Sequence, residues 1–440
     1  MRIGTGAGFS SDRLDPAVEL AAHGGLDYLV FECIGERTLA YGHRDRMQDE
    51  RRGFNPLLSR RLQAVLPHCR THGTRVVTNM GVANPLGAAQ DAVAAARQVG
   101  WQGCRVAAVT GDDVSDLITP ETELLEGMRV GETGHKYLGA NAYLGADALL
   151  EGVEAEVDVL ITGRVADPSL FLAPMRAHFG WQADDWTRLS RGTVVGHLLE
   201  CAAQITGGYF ADPGYKDVPD LARVGFPFAE VAEDGNAVIT KLERAGGLVD
   251  ERTVKEQLLY EVHDPTRYLT PDVTADFSRV QLRGDGTNRV CVAEADGSAR
   301  PDQLKVTVAF DGGFLAEAGV SYAGPGARER GELACEILRE RMHAVHGTNA
   351  PVRIDLIGVS SLHATAKQYE SNAQDVRVHA AMRASSREEA ENLLWEVESL
   401  LCCGPAGGGG YRGSMTPSVI TYSAFVARER VRTQTEFFTA

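Results

Sequence analysis

A chain of 440 residues exceeds the usual size of one domain, so two or three are expected. Its 44% apolar and 24% charged content is ordinary for a packed globular protein. A net charge of −16 argues against nucleic acid and anionic membrane surfaces as main partners, since both repel an acidic protein. A small anionic ligand stays admissible, because it needs only a few local donors.

The first half alternates short apolar runs with amphipathic segments, the pattern of βα units around a mainly parallel sheet. Strands are expected at "RIGTG" from Arg2, "DYLVFE" from Asp27, "RVVTN" from Arg75, "CRVAAVTG" from Cys104 and "VDVLITG" from Val157. Helices are expected at "LDPAVELAAHG", "LLSRRLQAVLPHCRTHG" and "PLGAAQDAVAAARQVG", each closed by a glycine suited to a left-handed cap. "DDWTRLSRGTVVGHLLECAAQITGG" extends the helical pattern. From residue 213 to 303 paired runs read as a β-rich connecting segment, with Asp285-Gly286 and Asp296-Gly297 as turn signals. From 304 to 440 the order becomes β-α-β-β-α-β, a ferredoxin-like lobe whose second helix starts at Ser385 or Ser386. The fold class is thus α/β, with a parallel α/β domain over 1–212, the β-rich segment and the ferredoxin-like lobe.

Ligands of open parallel sheets sit beyond the carboxyl ends of the strands. Here those ends carry Gly6 and Gly8, then Glu32, then Asn79 with Asn84, then Asp112-Asp113, then Arg164 and Asp167. Polar endings on five strands point to a shared substrate cleft. "GTGAG" with Glu32 resembles a dinucleotide site, yet its spacing is GxGxG, and a tight turn explains the glycines without a ligand. Asp112 and Asp113 could ligate a divalent metal or cap the next segment. Arg164 could hold a carboxylate or phosphate through its fork, or pair with Asp167.

On "GHLLECAAQITGG", His197, Glu200, Cys201 and Gln204 fall at i, i+3, i+4 and i+7 and share a helical face. Facing a cleft, His197 and Glu200 would form an acid–base pair, with Cys201 a nucleophile and Gln204 a substrate contact. Otherwise the face is solvated and the cysteine is packing. Gln257, Tyr260 and Glu261 form a similar group. The eight cysteines show no CxxC and read as free thiols of a reducing cytoplasm. The twelve histidines show no HxH or HExxH, and GxSxG and P-loop motifs are missing. No signal-peptide pattern or membrane-length apolar run is found. "GPAGGGGYRG" from Gly404 follows a helix instead of opening one, so a left-handed cap and tight turn suit it better than a phosphate cradle.

The phrases "VTNMGVANPLGAA", "VTGDD", "NAYLGA", "DVLITGRVADPSL", "GHLLECAAQITGGYFAD", "GFPFAEV", "EQLLYEVHDPTRYLTPDVTADF" and "GPAGGGG", in this order, resemble the acyclic terpene utilisation protein AtuA family. The resemblance implies a place in the breakdown of citronellol- and geraniol-type branched acids as CoA thioesters. It implies no particular reaction or catalytic residue. Longer relatives carry a further C-terminal domain, which this chain is expected to lack. Together these readings give the expectation of a cytoplasmic, homo-oligomeric lyase or hydratase acting on a small acyl-CoA or carboxylic acid, with CoA as part of the substrate and a divalent metal as a candidate cofactor. The alternatives are a non-catalytic binding subunit of such a pathway and an NAD-dependent oxidoreductase.

Overall fold

The computed structural model describes residues 1–362 and 373–440. The chain divides into two compact units, one formed by 1–309 with 421–440 and the other by 310–420.

The first unit opens with β1 (Arg2–Ala7), α1 (Asp15–His23), β2 (Tyr28–Phe31), α2 (Glu36–Gln48), α3 (Leu58–His72), β3 (Arg75–Thr78), α4 (Pro85–Gln98) and β4 (Arg105–Thr110). It continues through β5 (Tyr137–Ala142), α5 (Leu150–Glu154), β6 (Val159–Thr162), α6 (Ser169–Phe179) and α7 (Trp186–Glu200). Then come β7 (Pro227–Val231), β8 (Ala237–Lys241), α8 (Glu251–Leu259), β9 (Tyr268–Leu269), β10 (Thr274–Asp276), β11 (Gln281–Gly284), β12 (Arg289–Ala293) and β13 (Asp296–Ser298). β14 (Gln303–Ala323) carries the chain into the second unit, with α9 (Ala327–Ala344), β15 (Val352–Ile357), β16 (Asp375–Ala384), α10 (Arg387–Cys403) and β17 (Gly409–Ala427). β18 (Gln434–Thr439) returns to the first.

A ten-stranded mixed sheet in the order β11-β12-β8-β7-β1-β2-β3-β6-β4-β18 forms the centre of the first unit. The five sequence-expected strands β1, β2, β3, β6 and β4 pair in parallel. Antiparallel β7 and β18 flank them. The parallel strands are buried on both faces because their side chains alternate. Tyr28, Val30, Val77, Ala107, Val109 and Leu160 pack with α6 and α7. Leu29, Phe31, Val76, Val106, Ala108, Val159 and Ile161 pack with α1, α3 and α4 on the other side. The strands expected as a connecting segment extend this same sheet through β7, β8, β12 and β11.

Several local expectations are corrected. Gly73 and Gly100 are left-handed, but Gly24 after α1 is right-handed and Gly25 makes the turn instead. Asp285-Gly286 does turn between β11 and β12, whereas Asp296-Gly297 lies inside β13, paired with β10. Ser386, not Ser385, caps α10 by accepting from the Glu389 amide at 3.1 Å.

In the second unit α9 and α10 cover a sheet ordered β15-β16-β14-β17. The glycine run begins with an extended cap at Gly404, so the cap is not left-handed. Left-handed backbone comes later, at Gly407 and Gly410, and β17 starts within the run.

Candidate functional site

The carboxyl ends of the parallel strands converge on one buried polar cluster. Glu32, at the end of β2, accepts from the Asn79 side chain at 2.9 Å and from the Ile34 amide at 2.8 Å. Asn79, past β3, accepts the Cys33 amide at 2.7 Å. Asp112, past β4, accepts the Arg164 amide at 2.7 Å and the Asn141 side chain at 2.8 Å, while His43 of α2 bonds the Asn141 oxygen. Burial pushes the Asp112 carboxyl up to about 6. Asp112 therefore fixes the backbone from which the Arg164 side chain projects.

Arg164 is only 3% exposed. Its guanidinium donates to Asp167 at 2.8 Å and to the Ile34 carbonyl, and lies 4.0 Å from the centre of the Tyr143 ring. Burial works against its charge, but Asp167, Tyr143, Glu32 and Glu36 together hold it protonated. Lys305, at the start of β14, lies 4.8 Å over the same ring and 3.4 Å from Glu36. The Tyr143 hydroxyl donates to Glu36 at 2.5 Å. Burial raises the Glu36 carboxyl, yet the Tyr143 bond and the two cations outweigh it and bring it to about 2.

Arg164, Asp167, Lys305, Tyr143 and Tyr268 line a cavity of about 730 Å³. The rest of its wall is mostly apolar, with Leu269, Leu304, Phe425 and three prolines, and is completed by Thr270, Asp302 and Gln303. That volume and mixed lining are typical of a small-molecule site. Asp167 faces it with 31% of its side chain accessible, and burial with neighbouring Glu36 and Glu261 raises its carboxyl against the pull of Arg164.

His197 and Glu200 stand one layer back, outside the cavity lining. Asp185 starts their helix α7 by accepting the Arg188 amide. The His197 ring lies 5.5 Å from Tyr268 and 5.4 Å from Phe277. Its Nε2 reaches the Gln257 carbonyl at 3.0 Å and its Nδ1 reaches Glu200 Oε1 at 3.1 Å. Burial lowers His197 to about 4 and raises Glu200 well above the carboxylate range, with Asp167 and Glu261 adding to the latter. The two therefore meet as a neutral pair: Nε2–H donates to the carbonyl, and Glu200 supplies the proton to Nδ1. Cys201 caps α7, and burial and Glu200 hold its thiol protonated. Gln204 lies on the following 3₁₀ turn, past the helix, and bonds Tyr260.

The other sequence candidates are tied into the scaffold. A side chain at Gly6 would strike the Phe31 ring at 2.6 Å, and one at Gly8 would strike the Cys201 backbone at 2.5 Å. The Gly8 amide is taken by Asp12 at 3.0 Å. Asn84 caps α4 by accepting the Gly87 amide at 3.0 Å and donates to the Glu50 and Arg52 carbonyls. Asp113 turns away from Asp112, is exposed, and accepts from Ser115. Among the described residues no group of three or more His, Cys, Asp or Glu side chains is placed to hold a metal.

Sequence reasoning missed Tyr143, Lys305, Glu36 and Tyr268. Tyr143 is brought to Arg164 because 144 runs beside 164–166: the Leu144 amide donates to the Arg164 carbonyl, and the Ala166 amide donates to the Leu144 carbonyl. Its amide also donates to the Lys305 carbonyl at 2.9 Å. Tyr143 and Tyr268 do fall inside "NAYLGA" and "EQLLYEVHDPTRYLTPDVTADF", but neither lies at the end of an expected strand.

Fold and site together define a mixed α/β protein with a cation-bearing, largely apolar pocket. Residues 1–437 match the model of the acyclic terpene utilisation family, protein AtuA, and the chain belongs to that family. No curated protein matches the chain. Among solved structures, the de novo designed protein Ferredog-Diesel is similar at 21% identity over 23% of this chain and 83% of that one, with a TM-score of 0.16, too low to carry an argument. Among the described residues no helix is long and apolar enough to cross a membrane.

Proposed function

We propose that this is an enzyme of branched-chain or terpenoid acid breakdown that moves a proton beside the carbonyl of a carboxylic acid or its CoA thioester, as a lyase or hydratase does. The observation that carries the reading is the cavity in which Arg164 and Lys305 stand with a carboxyl of raised affinity for protons, Asp167. Arg164 takes the carbonyl or carboxylate oxygen and stabilises the negative charge that gathers there when the neighbouring carbon loses its proton. Asp167, open to the cavity, exchanges that proton. The leucine, proline and phenylalanine wall accommodates a branched hydrocarbon. The neutral His197–Glu200 pair keeps a proton in reserve behind Tyr268, and Cys201 stays a protonated neighbour.

The topology of 310–420, with its β-α-β-β-α-β order and neighbour order β15-β16-β14-β17, supports reading that unit as a ferredoxin-like lobe. The nicotinamide alternative draws less support, because the chain's own Asp12 and Cys201 occupy the space at the first glycine turn.

The test is deuterium uptake. A branched acyl-CoA and its free acid are incubated with the protein in D2O, and exchange at the carbon next to the carbonyl is read by mass spectrometry. Exchange that falls at least about 100-fold in Asp167→Asn, with binding kept, is the expected result. Binding without exchange in the wild type would favour the non-catalytic subunit; exchange that survives Asp167→Asn would remove Asp167 from the mechanism.

A further inference from the structure

We propose that Tyr143 is a positioning residue whose ring, rather than its hydroxyl, sets the spacing of the two cations in the cavity. The inference rests on the reading that Arg164 and Lys305 receive the ligand's negatively charged end. The guanidinium carbon of Arg164 lies 4.0 Å from the ring centre and the Lys305 ammonium 4.8 Å from it. One aromatic ring attracts both cations. The ring is itself pinned at two points. Its backbone amide donates to the Lys305 carbonyl at 2.9 Å, and its hydroxyl donates to Glu36 at 2.5 Å.

Other holdings of the two cations are unequal. Arg164 has Asp167 and the Ile34 carbonyl besides the ring, but its Nε finds no hydrogen-bond partner among the described residues. Lys305 is 44% exposed, with Glu36 at 3.4 Å, a long contact for a flexible ammonium. The ring lies 4.0 Å from the one and 4.8 Å from the other, and Glu36 also feels both charges. The ring thus links the two cations, while the hydroxyl donates to Glu36 and also accepts from the Lys305 ammonium.

The test compares Tyr143→Phe with Tyr143→Leu in the full chain, using a branched-chain carboxylate and its CoA thioester as probes. Tyr143→Phe is expected to bind within about threefold of wild type and Tyr143→Leu about tenfold more weakly. Equal losses in both would assign the effect to the hydroxyl and overturn the proposal, as would an unchanged Tyr143→Leu. A ligand-free measurement separates this inference from the reading beneath it. The Arg164 Nε–H resonance, assigned by its loss in Arg164→Lys, should sit upfield through the ring current in wild type and Tyr143→Phe, and move downfield in Tyr143→Leu. A wild-type resonance at its ordinary position overturns the positioning role even if ligand binds. An upfield resonance in a protein that binds neither probe keeps the positioning role and rejects the proposed function. Should Tyr143→Leu fail to fold, the wild-type resonance and Tyr143→Phe binding still decide.

Discussion

Two buried acidic clusters, one in each unit, are built on opposite principles. In the second unit Glu396, 7% exposed, accepts two bonds from Arg341 at 2.6 and 2.9 Å and one from His346 at 2.7 Å. Those bonds, Arg341 foremost, hold its carboxyl below the usual range. The carboxylate is fully met, and it ties α9 to α10. In the first unit Glu32, Asp167 and Glu200 share the field of Arg164, and all three are raised. Glu200 Oε2 has no hydrogen-bond partner among the described residues. A cluster made for stability balances its charge locally, whereas raised acids around a buried cation are the arrangement the proposed function would use.

The contrast breaks first, if it is wrong, at Arg164 and Glu396. Arg164→Met should weaken binding of a branched carboxylate by about 3 kcal/mol, roughly 100-fold, measured by calorimetry. The fold should survive, because the three raised carboxyls can take up protons once the cation is gone. Unfolding in place of lost binding would make the cluster structural after all. Glu396→Gln should do the reverse. It leaves ligand affinity unchanged and costs about 2 kcal/mol in denaturant titration, the value of hydrogen bonds to a charged group.

pH separates the clusters by sign. Glu396 has a lowered carboxyl, so its contribution is present above the unfolded value of about 4.3 and is lost as pH falls through the folded value. Glu32 and Glu200 are raised, so their protonated forms favour the fold at low pH, and stability declines as pH rises above about 4.3 toward the folded values. Each such proton steepens the slope by up to about 1.4 kcal/mol per pH unit. Glu200→Gln should flatten the decline on the alkaline side while leaving the acid side intact. A flattening on the acid side alone would mean that Glu200 is ionised in the fold.

Much of this was legible in the sequence because it depends on periodicity and on strand ends. Alternating runs locate the five parallel strands, and Glu32, Asn79, Asp112, Arg164 and Asp167 follow from where those strands stop. Helical spacing brings His197 and Glu200 together, but not their depth, since a 3.6-residue period cannot say whether a face meets a cleft or a core. The phenol of Tyr143 and the ammonium of Lys305 are 162 positions apart and meet on an aromatic face, a contact that no one-dimensional pattern records. The antiparallel β7 and β8 looked like a separate segment because hairpin signals are local, whereas the pairing of β7 with β1 is not.

The smallest expected effect sharpens the same division within the strand ends themselves. Asn84 and Asn79 are both buried asparagines following β3, and sequence treats them alike as ligand contacts. Asn79 bonds Glu32, inside the acidic cluster, whereas among the described residues the Asn84 side chain bonds only backbone: one cap on α4 and two carbonyls of the loop after α2. Asn84→Ala should therefore cost about 1 kcal/mol of stability, as loss of a helix cap does, with no change in ligand affinity. Asn79→Ala removes a donor that holds Glu32 and should shift the pH dependence of binding. Equal effects on binding from the two would show that the cavity extends to the start of α4, and that the polar strand ends form one ligand surface instead of a site and its scaffold.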